Sequence, residues 1–264
     1  MAVVTVVWLA LSFVGSSRAA TWQYYDDDEW HIISPIFYTW LLQTEGHYTA
    51  QGVNYNANLS MREVLENSDL NLQFYFEADK GDWGFSVEPA FLDISQESSK
   101  GGVQFDNKID MILVDFAAQY RVWKTRTPQP MSVYAYVGAR YWNFDNEANG
   151  QGAAPNSSAH LDIIDPVVGG RFRMDVTDRM QLAIRGDIGG FGLSDKQSHL
   201  TWQTWLFVGY DVTKYFWVFG GYRAMALDYS EGHGAGEKGA DITFYGPVIG
   251  LDFDFFSWIA DRKK

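Results

Sequence analysis

Cysteine is missing from this chain altogether, which excludes a disulfide framework and any thiolate metal site. Basic residues are scarce: 20 Lys and Arg stand against 33 Asp and Glu, for a formal charge of -13 and a pI near 4.7. A nucleic-acid partner needs a basic surface to displace counterions, so that class is excluded. No helical membrane span stands out, and the mean hydropathy is only -0.21. Neither a nucleophile elbow, a metal-binding histidine spacing nor a phosphate loop occurs. The expectation is therefore a chain without cofactor, metal or catalytic machinery.

Aromatic residues are abundant, at 17% of the 264 residues, and glycine is frequent, at 25. Ala2 to Val14 is nearly unbroken apolar but too short to cross a bilayer. Ser17 and Ala19 after it supply the small residues of a cleavage site, so residues 1–19 are read as an export signal and 20–264 as one domain. The acidic run Asp26 to Glu29 is read as a solvated lead-in.

The main pattern is alternation with a period of two. Leu70, Leu72, Phe74, Phe76 and Ala78 oppose Asn71, Gln73, Tyr75, Glu77 and Asp79. Between Asp165 and Gly192, two such runs flank the polar stretch Asp175 to Asp178: Pro166, Val168, Phe172 and Met174 oppose Arg171 and Arg173, and Leu182, Ile184 and Ile188 oppose Arg185 and Asp187. This predicts β-strands with one apolar and one charged face. Further strands are predicted at 33–43, 83–91, 112–122, 133–142, 200–211, 216–227 and 246–255, ten in all, with eight as the alternative. Residues 44–67, 96–107, 144–161 and 229–240 read as polar loops, the first carrying a helical turn at 61–66 with Ser60 as its N-cap. Long connections at one rim and short turns at the other, joined by an even number of strands, predict a transmembrane antiparallel up-and-down β-barrel. Its apolar face meets lipid and its charged face lines the lumen.

The lumen faces then hold Glu77, Asp79, Glu88, Asp115, Asp187, Asp252 and Asp254 against Arg121, Arg140, Arg171, Arg173, Arg185 and Arg223. Seven acids and six arginines imply a nearly neutral network, because buried charge is costly unless paired and arginine suits forked pairing. Ten strands sit just above the size at which side chains fill a barrel. Trp205, Trp217, Tyr134 and Tyr136 narrow the interior further.

The segments DPVVGGRFR, RGDIGGFG, VFGGYR and YGPVIGLDFDF, with the early ISPIFYTW and FEADKGDWGF, resemble motifs of a widespread family of bacterial outer-membrane β-barrel proteins. The resemblance spans roughly residues 30 to 256 and implies the fold and the compartment, with no established substrate. Gly250 to Phe255 also resembles the signal that the outer-membrane assembly machinery recognises, here followed by a tail from Ser257 to Lys264. Outer-membrane lipid and that machinery are the implied partners. The expected role is structural or a narrow channel for small solutes. The alternatives are a hydrolase at the loop rim, built from His47, His160, His199 or His233 with Asp162 or Asp195, and a binding protein acting through its loops. His31, the fifth histidine, lies away from that rim.

Overall fold

The computed structural model describes residues 30–253, except 51, 101–102, 126–128 and 151–156. The export signal, the acidic run at 26–29, Asp254 and the tail lie outside the described residues. Among the described residues, no helix is long and apolar enough to cross a membrane.

The strands are β1 (His31–Trp40), β2 (Gln43–Ala50), β3 (Val53–Asn56), β4 (Ser68–Lys80), β5 (Trp83–Lys100), β6 (Val103–Thr125), β7 (Met131–Gly150), β8 (Ser157–Thr177), β9 (Met180–Gly190), β10 (Leu200–Asp211), β11 (Phe216–Glu231) and β12 (Lys238–Phe253). Helix α1 (Met61–Asn67) precedes β4. Strands β4 to β12 pair antiparallel in chain order, and β1 pairs with both β4 and β12. That closes a ten-stranded barrel and rules out the eight-strand alternative.

The first strand does not end where the alternation suggests. β1 pairs with β12 from Phe37↔Leu251 to Trp40↔Val248, and β2 resumes in the same register from Gln43↔Tyr245 to Thr49↔Gly239. The two are one strand with a break at Leu41 and Leu42. Residues 44–67 are therefore not a loop: β2 leaves β4 and turns back on itself as β3. The segment after β3 is tied back to β2: Thr44 and Leu59 exchange backbone hydrogen bonds of 2.9 and 3.1 Å, Ala57 N–H donates to the Gly46 carbonyl at 3.0 Å, and Asn58 Oδ1 accepts from Gly46 N–H at 2.8 Å. Helix α1 begins as its sequence predicts, with a capping box. Ser60 Oγ accepts from the Glu63 backbone N–H at 3.3 Å, while the Glu63 carboxylate accepts from the Ser60 N–H at 2.8 Å.

Two further expected loops are also mostly strand, and the third, 229–240, is strand for half its length. β5 and β6 stay paired to Lys100↔Val103, β7 and β8 to Ala148↔Ser157, and β11 and β12 to Glu231↔Lys238. The reason lies in a switch of face polarity along each strand. On β8, Val168 and Ile164 face outward and are about half exposed, whereas Arg171, Arg173 and Asp165 face inward and are buried. Beyond Ile164 the outward residues become Asp162 and His160, and the inward ones Ile163 and Leu161. β6 changes in the same way: Phe116 and Ile112 outside with Asp115 inside give way to Asp110 outside with Leu113 and Met111 inside. The lower part of each strand follows membrane rules and the upper part follows those of a water-soluble barrel. Outward-facing aromatics mark the lower edge of the lipid zone. Trp83 and Tyr120 pack edge to face at 4.9 Å, and Trp123 is exposed near them.

The short turns lie close to their predicted positions. The polar stretch after β8 shifts by a few residues: strand pairing runs through Thr177 with a bulge near Asp175, and Asp178 and Arg179 make the turn.

Candidate functional site

The interior is where charge, aromatic rings and amide side chains meet. It is organised as a belt of paired charge in the lower half, flanked toward the short turns by the inward rings of Trp205, Phe207, Trp217 and Phe219, with a second apolar core above.

The belt has two clusters. In the first, Glu77 on β4 receives a forked contact from Arg171 on β8, with Nη1 to Oε2 at 2.9 Å and Nη2 to Oε1 at 2.7 Å. Arg173 donates to both oxygens of Glu77 at 2.7 Å, and the Gln119 amide adds a contact at 2.6 Å. Tyr75 also donates to Glu77. In the second, Arg140 on β7 donates to Asp115 at 2.7 Å, to Asp187 at 2.9 Å and to Thr201 at 3.0 Å. Gln203 bridges Asp187 at 2.7 Å and Asp115 at 3.1 Å, and Tyr136 donates to Asp187 at 2.7 Å. Arg223 lies 2.9 Å from Glu88, which also takes Tyr38 at 2.7 Å and Arg185 at 3.2 Å.

Each of these arginines except Arg140 also lies over a ring. Arg171 and Arg173 share Tyr134 at 4.9 and 5.2 Å, and Arg185 covers Tyr136 at 4.8 Å. Arg223 sits between Trp40 and Trp205, at 4.8 and 4.4 Å. Cation–π contact supplies attraction on the guanidinium faces, where hydrogen bonds cannot reach. Gly169 makes room for this stacking, since a Cβ there would come within 2.7 Å of the Tyr136 ring.

Of the thirteen charges expected in the lumen, nine form these two clusters: Glu77, Glu88, Asp115, Asp187, Arg140, Arg171, Arg173, Arg185 and Arg223. Asp79 reaches the first cluster through Gln119, at 3.1 Å. Arg121 turns away, binding Asp82 of the short β4–β5 turn at 2.7 Å and the Gly81 carbonyl at 3.1 Å. The Arg121 hydrogen bond holds the Asp82 carboxyl below its ordinary range. Asp252 is buried at the short-turn end, paired in register with Trp217. Asp254 lies outside the described residues.

The uncharged partners Tyr38, Tyr75, Gln119, Tyr136, Thr201 and Gln203 occupy the same inward positions. A count restricted to ionisable groups passes over them, although period-two alternation marks several as inward. Asp165 is also missing from that count. It is fully buried and accepts from the Ser198 N–H and hydroxyl, both at 2.7 Å, which pins the β9–β10 loop into the mouth. The glycines of RGDIGGFG serve this loop. Gly190, Phe191 and Gly192 have φ of 88°, 71° and 59°, and a Cβ on Gly190 would sit 2.4 Å from Ser198 Oγ.

Above the belt the interior is apolar. Trp142, Phe144 and Phe244 stack with centroids 5.5 to 6.3 Å apart. Leu113, Ile163, Met225 and Leu227 pack with them, fully buried, and Val64 of α1 closes the top.

Of the histidines, His160 forms the clearest constellation. Its Nδ1 lies 2.6 Å from Asp145 and its Nε2 2.7 Å from Asp162, on the outer face of the β7–β8 hairpin. Asp162 also accepts from Tyr141 at 2.7 Å and Asn143 at 2.9 Å. Hydrogen bonds to Asp145 and then Asp162 raise the His160 pKa, and those from Asn143, Tyr141 and His160 lower Asp162 to about 2. His199 contacts the Ser230 hydroxyl at 2.9 Å. His47 lines an open polar cleft beside Glu45 and Glu63, and His233 is exposed. His31 is paired in register with Asp79, its side chain outside the described set. Asp195 offers its backbone carbonyl to Tyr229 at 2.9 Å. Among the described residues, no group of three or more metal-ligating side chains is placed to hold an ion.

No family model matches the chain, and no curated protein does either. Among solved structures, the outer membrane protease OmpT from Escherichia coli is 7% identical with a TM-score of 0.45, over 89% of this chain and 99% of that one. Neisserial surface protein A is 14% identical with a TM-score of 0.32, over 84% and 99%. A Pseudomonas aeruginosa FadL homologue is 8% identical with a TM-score of 0.26, over 86% and 90%. Values this low carry no activity from those proteins to this chain.

Proposed function

We propose that this chain is a bacterial outer-membrane barrel with a filled lumen, acting as a structural scaffold that carries its outer rim above the membrane. The inverted faces of the lower strands support the membrane setting, and the exposed ladder from Val168 to Ile188 is its lipid contact. The observation that carries the filled lumen is the belt. Arg140 and Arg223 are fully buried at the middle of the barrel, bound to carboxylates from β5, β6 and β9. A solute path would have to break these buried ion pairs, at a cost of several kcal/mol per ion. The cavity beside the belt, lined mainly by Ile36, Tyr38, Trp205, Phe207, Trp217 and Phe219, is only about 30 Å³, too small for a solute path.

The stretch from Gly250, which pairs with both β1 and β11, is the proposed contact for the assembly machinery. Single-channel recording in planar bilayers tests the reading. Insertion verified by protease protection, with no conductance steps, is the expected result. Reproducible unit conductance would overturn the filled lumen and restore the narrow-channel role.

A further inference from the structure

The upper core is not completely packed. Below the Thr44–Leu59 bridge lies an apolar cavity of about 70 Å³, walled by Leu92, Met111, Leu161, Ile242 and Phe244 and reached past half-buried Ile109 and Phe144. Protein interiors have few voids larger than a water molecule, and an apolar one holds no water.

We propose that this cavity binds the end of a linear alkyl chain. Three observations converge on that class. First, the wall offers little free polarity: Thr44 Oγ1 donates to the Ala57 carbonyl and accepts from the Leu59 N–H, and the Asp145 carboxylate is turned to the outer face, held by His160. A sugar, amino acid or ion would lose its hydration with little in return. Second, the volume is about half that of an engineered cavity of roughly 150 Å³ that accepts benzene, so a few methylenes fit and a ring does not. Third, the flank of the cavity toward β4 is not continuous sheet. It is the 57–60 segment, joined to β2 by a single isolated bridge and a few hydrogen bonds at Ala57 and Asn58 rather than by a strand ladder, and followed by Val64, which is inserted into the core. The rest of the chain would leave past Ile109 and Phe144 toward the loop end. The proposal rests on the outer rim being the working end. It concerns a site above the belt, so binding and conductance succeed or fail separately.

The test uses the full-length protein in lipid nanodiscs with ¹³C-methyl methionine. Met111 reports from the cavity wall, and Met180, exposed on the outer face, reports on the lipid. Titration with 1-hexanol should shift the Met111 methyl saturably while Met180 moves only in proportion to the alcohol dissolved in the bilayer. Cyclohexanol should leave Met111 unmoved. Ala240→Leu, which fills the cavity, should weaken the hexanol response at least tenfold. Leu161→Ala, which enlarges it, should admit cyclohexanol and keeps the proposal testable if the filled variant does not fold. A nuclear Overhauser effect from lipid terminal methyls to Met111 before any alcohol is added would identify a membrane lipid tail as the source. Its absence together with a saturable hexanol shift would identify a free alkyl ligand. A Met111 response that never saturates, or that tracks Met180, would overturn the proposal.

Discussion

The charged belt and the apolar core above it are built from the same strands, two residues apart. On β7, Arg140 belongs to the belt and Trp142 to the core. On β6 the same step separates Asp115 from Leu113. The difference is set by what lies outside the wall. Where the outer face meets lipid, inward apolar side chains gain nothing over outward ones, and the interior is free to hold paired charge beside aromatic rings such as Trp205 and Trp217. Where the outer face meets water, burying apolar surface again provides the driving force, and the interior becomes an ordinary core. One barrel thus holds two interiors with different energetics, each matched to its surroundings.

Breaking the belt at one member should have the largest effect. Glu77→Leu leaves Arg171 and Arg173 buried without their carboxylate and should cost about 3–5 kcal/mol, read by urea unfolding in lipid vesicles. Replacing Glu77, Arg171 and Arg173 together by Met or Leu should recover most of that loss. A triple variant as unstable as the single one would show that the belt is needed for more than charge balance. In the upper interior the cost follows volume. Leu113→Ala should lose about 2–5 kcal/mol, while Leu113→Met should lose less than about 1.5 kcal/mol.

The outer face gives a third contrast, along one strand. Val168→Arg, in the lipid zone, should cost about 2–4 kcal/mol. Ser158→Arg, on the same strand but in the water zone, should stay within about 0.5 kcal/mol. Equal costs at both positions would refute the switch of face polarity.

The smallest effect concerns the His160 clasp. Its pKa is raised in the folded hairpin, so its contribution is complete below the unfolded value of about 6.5 and fades as pH rises through the folded value. Amide hydrogen exchange at Asp145 and Asp162, corrected for the intrinsic pH dependence, should therefore become less protected on the alkaline side. His160→Asn should flatten that dependence.

Within the lipid zone the sequence was easy to read, because only one face there tolerates charge and the alternation is clean. The lumen arginines and acids stand out for the same reason, whereas Gln203 and Thr201 need spatial neighbours to reveal their part. Above the zone the alternation continues with its phase reversed, and the hairpin tips are polar, so the segments pass for loops. The reversal does leave a mark: two adjacent apolar residues, one facing out and the other in. Phe91-Leu92, Ile112-Leu113, Tyr141-Trp142 and Ile163-Ile164 each sit at that boundary. The continuation of β1 into β2 has no such mark, because it depends on pairing with β12, far away in the chain.

That dependence shapes how the barrel is made. Trp40 and Val248 are neighbours in the wall but roughly two hundred residues apart in sequence, and contacts of such separation form slowly. The hairpins from β4 to β12 need only local pairing, while the first and last strands wait for each other as open sheet edges, the form most prone to pairing with the wrong chain. The nascent protein therefore needs its two ends shielded until they meet, and closure of the β1–β12 seam should be the committing step of its assembly.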